Sequence, residues 1–271
     1  MITKEMLEKY VPSLTSPTED IFLHMQGFFD AAETDLKYKV GSFWDEAMRI
    51  EQVKELAQKV ICLVATYAAI PHLDLVVTDT GFGVVSNQNV VPASAQRVAA
   101  LKEAVRQQKS TASDLFFQRL LELTEWGSKP EAAEYVTNIV WSPSIARSIG
   151  LSLDGHLIFD EEYMTIIPQI LQAEAELQNL ISPELYNVLV ENLIRKNKKD
   201  IPYLKVLQKA RAYIAAKFYH DGKATILMVH MLELLDRYAD ALPEYRNSST
   251  YSAHHSEPYK NRKDDGCFFF G

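Results

Sequence analysis

Phe22, Met25, Phe29, Ala32, Leu36 and Val40 recur at steps of three or four residues. That spacing puts them on one face of an α-helix and requires a partner surface to bury them. The pattern returns 141 residues later, where Tyr163, Ile166, Ile170, Ala173, Leu177 and Ile181 hold the same relative positions and "AETDL" at 32–36 is answered by "AEAEL" at 173–177. Two amphipathic helices share a period by necessity, so the agreement reads either as an internal duplication or as two helices obeying the same rule. A chain organised around two such stripes is expected to be mainly α: a helical bundle, with two duplicated helical modules as the finer reading.

Each stripe is succeeded by a polar break and a second apolar helix, from about Ile50 to Ala69 and from about Pro202 to Tyr219. Helix starts are marked by Ser16-Pro17 with Glu19, by Ser128 with Glu131, and by Ser182-Pro183, patterns in which a side chain or a proline suits the unpaired first turn. Pro168 falls within the second stripe, where a helix must either kink or begin. Helical signal from Ala95 to Trp126 is interrupted at "KSTASD" (109–114), whose residues favour turns and caps. After Asp221-Gly222 a further helix places Leu227, Met231, Leu234 and Tyr238 on one face.

One stretch departs from this rhythm. "LDLVVTDTGFGVV" (73–85) reads as two short strands joined at a turn, with Gly81 and Gly83 supplying unusual backbone angles at the turn or a bulge. "SNQN" (86–89) reads as a loop, and Ser94 as the cap of a helix that turns Val98, Leu101 and Val105 inward. Two strands alone are marginal in water and leave edges that invite pairing, so the hairpin is expected to be an assembly element. The chain then divides into an N-terminal helical module with hairpin (1–94, hairpin at about 74–91), connecting helices (95–160), a C-terminal helical module (161–243) and an extended C-terminal arm (244–271). The arm is polar but closes on Cys267, Phe268, Phe269 and Phe270, aromatics costly to leave in water, which reads as an anchor that docks on another chain, with packing within the same chain as the rival. Removing residues 244–271 is expected to leave a folded core.

The 271 residues supply ample core without staples, and two distant cysteines, Cys62 and Cys267, do not make a disulfide framework or a metal site. A net charge of −8 argues against wrapping nucleic acid. "VICLVATYAAI" (60–70) is shorter than the roughly 20 residues that span a bilayer, and the N-terminus has no signal-peptide pattern, so no membrane and no secretion are expected. None of the seven histidines forms a metalloprotease pattern. His254 and His255 read as solvated in the polar arm, and His230 as a core or interface residue on an apolar helix. "GFG" at 81–83 meets Ser86 where a dinucleotide fingerprint needs its third glycine. Asp160, Glu161 and Glu162 read as acids favoured at a helix start, and Arg195, Lys196, Lys198 and Lys199 as a solvated helix end. No catalytic, cofactor-binding or metal-binding residue is nominated, and the chain is expected not to be an enzyme.

The run "TDTGFGVVSNQNVVPASAQRVAAL" (78–101), with a helical second half and an aromatic-rich tail, resembles an uncharacterised family of virion structural proteins encoded by tailed phages and prophages of gut Bacteroidetes, of head-to-tail connector or head-completion type. The resemblance implies an adaptor that forms a ring of twelve copies beneath the portal protein, contacts neighbouring tail or neck proteins, and lets DNA pass through its lumen without specific binding. It implies a location in the virion neck after assembly in the host cytoplasm. A ring needs two different patches per subunit. Phe82, Val84, Asn87, Asn89 and Arg97 are the expected hairpin contact, and Tyr259, Phe268, Phe269 and Phe270 the expected arm contact. The rival readings are a helical scaffolding or regulatory protein and a cytoplasmic enzyme, the latter predicting a deep pocket lined by two polar groups of shifted protonation.

Overall fold

The computed structural model describes residues 2–12, 19–72, 75–78, 81–84, 94–196 and 200–256, and it is mainly α. The chain divides into two compact units, Met1–Pro168 with Glu191–Asn197, and Gln169–Val190 with Lys198–Gly271.

The first unit opens with α1 (Lys4–Tyr10), α2 (Glu19–Val40), α3 (Trp44–Ala47) and α4 (Glu51–Ala69), then β1 (Leu75–Thr78), β2 (Gly81–Val84) and α5 (Ala95–Leu121). Short helices α6 (Thr124–Gly127), α7 (Pro130–Tyr135) and α8 (Pro143–Ser148), a second strand pair β3 (Ser152–Leu153) and β4 (His156–Leu157), and the start of α9 (Asp160–Ile181) complete it. Helix α4 is the centre, packed by α1, α2 and α5. Its sequence explains the position. Nine of its nineteen residues are buried, among them Val53, Ala57, Ile61, Leu63 and Thr66, and a helix apolar on several sides needs neighbours on several sides. The α2 stripe is buried from Met25 to Val40, with Phe22 packed against the same core. Gly41 ends α2 at φ +68°, a left-handed conformation that glycine adopts without strain.

The second unit holds the rest of α9, most of α10 (Pro183–Arg195), then α11 (Ile201–Phe218), α12 (Lys223–Arg237), α13 (Pro243–Arg246) and α14 (Ser249–His254). Helices α11 and α12 pack against each other. All six residues of the second stripe are buried. Helices α2 and α9 are both 22 residues long and begin and end at equivalent stripe positions, yet the helices that come after them, α3 and α10, differ in length. Helix α9 runs through Pro168.

Several sequence expectations need correction. Helix α5 is continuous through "KSTASD", because Ser110 and Asp114 face the interior and the Thr111 hydroxyl donates to the Gln107 carbonyl one turn back. Residues 95–160 are therefore no separate connector: α5 lies along α4 and builds the first core. Lys129, not Ser128, precedes α7, while Glu131 accepts from the distant Ser42 N–H at 3.2 Å. Ser182 does cap α10, accepting from the Leu185 N–H at 3.2 Å. Gly81 and Gly83 lie inside β2 rather than at the turn, opposite Thr78 and Val76 in an unbulged register. His230 is exposed and so does not belong to the core. The extended arm does not begin at 244: α13 and α14 carry the chain to His254, Tyr245 is completely buried, and His254 bonds to the Tyr245 hydroxyl at 3.2 Å. His254 and His255 are exposed, as read, although His255 also stands 3.2 Å from Asp236. The Ser16 cap and the end of the basic run, Lys198 and Lys199, lie outside the described residues.

Candidate functional site

The hairpin occupies the connection between α4 and α5. A 3₁₀ turn (Ile70–His72) closes α4, β1 and β2 pair antiparallel with Leu75 opposite Val84 and Thr78 opposite Gly81, and α5 begins at Ala95 with the Ser94 hydroxyl accepting from the Arg97 N–H at 3.4 Å. Val and Phe favour the extended backbone here, and two residues between Thr78 and Gly81 suffice for a tight turn. Among the described residues β1 and β2 pair only with each other. Phe82 stands opposite Val77 and Val84 opposite Leu75, on one strand, and Arg97 is exposed in the first turn of α5. Asn87, Asn89, Tyr259, Phe268, Phe269 and Phe270 lie outside the described residues.

The sequence reading missed a second constellation, within the first unit. A cavity of about 300 Å³ is lined by Asp114, Phe117, Tyr135, Trp141, Asp160 and Tyr163, among others. Phe117 stacks on Tyr135 with ring centroids 3.8 Å apart, and Trp141 meets Tyr135 edge-on at 5.6 Å. Asp114 is 4% exposed, accepts from the Ser144 N–H at 2.7 Å and faces Arg147 at 3.7 Å. Burial pushes its carboxyl up to about 6 despite those partners, and burial also raises the Tyr135 hydroxyl well above its ordinary range. Beside the cavity, Arg106 donates to Glu103 on its own helix and to Glu162 at 2.9 Å, Lys109 pairs with Asp160 at 3.4 Å, and the Tyr67 hydroxyl donates to Glu161 at 3.1 Å. The hydrogen bonds from Arg106 hold the Glu103 carboxyl down at about 2.

These groups hold one another. Asp114 supplies an acceptor to the first turn of α8, and Glu162 reaches back to the Phe159 N–H at 3.0 Å as a capping residue of α9. The acids at 160–162 sit in the first turn of α9, as their charge suits, and α5 adds the cations that face them. Among the described residues no cluster of three His, Cys, Asp or Glu could hold a metal ion, and no helix is long and apolar enough to cross a membrane.

Asp114 gives a signed prediction. Its folded-state carboxyl titrates near 6 and an unfolded one near 4, so the folded state binds the proton more tightly and its contribution to stability is lost as pH rises between those values. Asp114→Asn keeps an acceptor for Ser144 while removing the charge. Relative to the native chain, the variant is expected to gain about 2 kcal/mol between pH 4 and pH 7. Urea denaturation across that range checks it; parallel pH profiles would contradict it.

A family of unknown function, DUF6712, matches residues 30–123, from within α2 through α4, the hairpin and α5. No curated protein and no solved structure matches the chain. The chain is thus similar, over less than half its length, to a family that includes the hairpin and the helices flanking it.

Proposed function

We propose that the chain is a non-enzymatic structural protein of the virion, a head-to-tail connector that assembles as a ring beneath the portal and joins the capsid vertex to the tail. The observation that carries the proposal is the β1–β2 pair on the α4–α5 connection, which among the described residues has no third strand. A two-stranded ladder has an unpaired edge on each side, and a strand from a neighbouring subunit satisfies one of them. The family match, to a family of unknown function, spans this hairpin; the connector class is what the resemblance of residues 78–101 implies. Twelve copies, a neck location and passage of DNA through a lumen that does not grip it are properties of the connector class; a net charge of −8 suits that last property. Tyr259 and Phe268–Phe270 lie outside the described residues, and the proposal rests on the hairpin alone.

The test is native mass spectrometry with negative-stain imaging of the chain, alone and mixed with its candidate portal, repeated with Phe82→Asp. Rings, or a monomer that forms a ring only on the portal, are expected, with ring formation lost in the variant and its melting midpoint unchanged. A monomer that ignores the portal, or a variant that melts early and assembles normally, returns the hairpin to a scaffolding or regulatory protein.

The Asp114 cavity favours a second reading, an enzyme, because two of its polar groups have raised protonation ranges. The bonds from Ser144 and the approach of Arg147 already give Asp114 a structural task. Turnover of any substrate that Asp114→Asn abolishes without loss of folding would restore the enzymatic reading.

A further inference from the structure

Asp114 and Asp160 line one cavity, and neither has its cation in bonding contact. Arg147 stands 3.7 Å from Asp114 and Lys109 3.4 Å from Asp160, both beyond a good hydrogen bond. Arg147 donates instead to the Ile158 carbonyl and lies over the Phe159 ring, while Lys109 lies over the Tyr67 ring. The two carboxylates feel each other. After burial, the main cause, the charge of Asp160 helps to push the Asp114 carboxyl up, and both charges push up the Tyr135 hydroxyl. Among the described residues, no hydrogen bond reaches the Asp160 carboxylate and the Tyr135 hydroxyl makes none.

The remaining charges are settled. Asp35, the third acid of the lining, is bonded by Lys39 at 2.7 Å, and Arg106 satisfies Glu103 and Glu162 beside the cavity. Glu161 accepts from Tyr67, and the Tyr163 hydroxyl donates to the Val140 carbonyl at 2.6 Å. Lys39, Lys109 and Arg147 balance Asp35, Asp114 and Asp160 in number, so what is unfinished is placement: two acids face the same space with no donor between them.

The space suits a ligand. At about 300 Å³ the cavity is at the small end of ligand sites, and Met164, part of its lining, is 69% exposed, so it opens to solvent. Phe117, Tyr135, Trp141 and Tyr163 supply aromatic walls, which attract cations. An ammonium relieves the repulsion between the carboxylates and brings three donors, for Asp114, Asp160 and the Tyr135 oxygen. An anion would add to the repulsion, and among the described residues no three His, Cys, Asp or Glu could hold a metal ion.

We propose that this cavity binds a small organic cation, an amine whose ammonium sits between Asp114 and Asp160 and whose hydrocarbon part packs against Phe117 and Trp141. The site uses no residue of the hairpin and stands whether or not the chain is a connector.

Calorimetric titration of the full chain with benzylammonium, and with benzyl alcohol as its uncharged counterpart, tests the site. At pH 6 the ammonium is expected to bind at least about tenfold more tightly than the alcohol. Asp114 titrates at about 6, so a cation beside it expels about half a proton per ammonium bound, read by repeating the titration in buffers of different ionisation enthalpy. Asp114→Asn and Asp160→Asn are each expected to weaken the ammonium about tenfold and leave the alcohol unchanged, and Asp114→Asn also abolishes the proton release. Asp160 is partly exposed in the first turn of α9, so its variant reports on the site independently of any disturbance at buried Asp114. No binding of the ammonium, equal binding of ammonium and alcohol, or unchanged binding by both variants overturns the proposal.

Discussion

Ending the chain after Leu242 is expected to abolish the cooperative melting of the second unit, whereas ending it after Ser256 leaves that transition in place. The difference lies in a short segment that looks dispensable by composition. Tyr245 is completely buried, meets Tyr251 edge-on with centroids 5.3 Å apart, and bonds through its hydroxyl to His254. The Ser248 side chain accepts from the Tyr251 N–H at 3.0 Å and so starts α14, and Glu244 accepts from the Tyr203 hydroxyl at 2.7 Å, tying α13 to α11. Removing a buried aromatic costs about 3–5 kcal/mol, a large share of the roughly 5–15 kcal/mol that holds a whole domain together. Differential scanning calorimetry of the two shortened chains separates the cases. Equal melting of both would mean that α13 and α14 rest on the second unit without belonging to it.

Composition misplaces the boundary at 244 for a physical reason. Asn, Ser, Thr and His dominate 247–256, and these residues favour caps and turns when nothing else holds them. One tyrosine in a fitted site outweighs that preference, and a sequence shows the tyrosine but not the site. The long stripes are legible because burial of a helix face imposes its own period: every stripe residue from Met25 to Val40 and from Tyr163 to Ile181 is buried. Asp154-Gly155 carries an equally plain signal that the hydrophobic pattern overlooks. Both residues take positive φ, 51° and 80°, between β3 and β4, as a two-residue hairpin turn requires.

The Asp114 constellation is harder to see because its signal is a polar stripe. Arg106, Ser110 and Asp114 are four residues apart and buried on α5. Read one by one they suggest solvent and turns; read at a spacing of four they mark a buried helix face on which Arg106 and Asp114 meet other polar groups. Those groups, Glu162, Arg147 and the Ser144 N–H, come from 30 to 56 residues further on, a juxtaposition that only the fold creates. The hairpin is legible as a hairpin from β-propensity and the short separation of its strands.

Trp126→Ala is expected to destabilise the first unit by about 3–5 kcal/mol, and Trp126→Phe by about 1–2 kcal/mol. Trp126 is completely buried and donates from its indole nitrogen to the Val40 carbonyl oxygen at 3.2 Å. Val40 is the last residue of α2, and the indole ties its carbonyl to α6. The ring also lies 6.1 Å from Phe117 and 6.4 Å from Tyr135, next to the aromatic stack of the cavity wall. Phenylalanine retains most of that packing and loses the donor, whereas alanine loses both and leaves a void in a close-packed interior. The family match ends at residue 123, just before this side chain. The matched helices α2 and α5 are therefore clasped in this chain by a residue outside the matched segment. Urea denaturation followed by circular dichroism measures both variants. Equal losses for phenylalanine and alanine would place the whole contribution in the hydrogen bond, and a negligible loss for alanine would show that α2 and α5 hold together without the clasp.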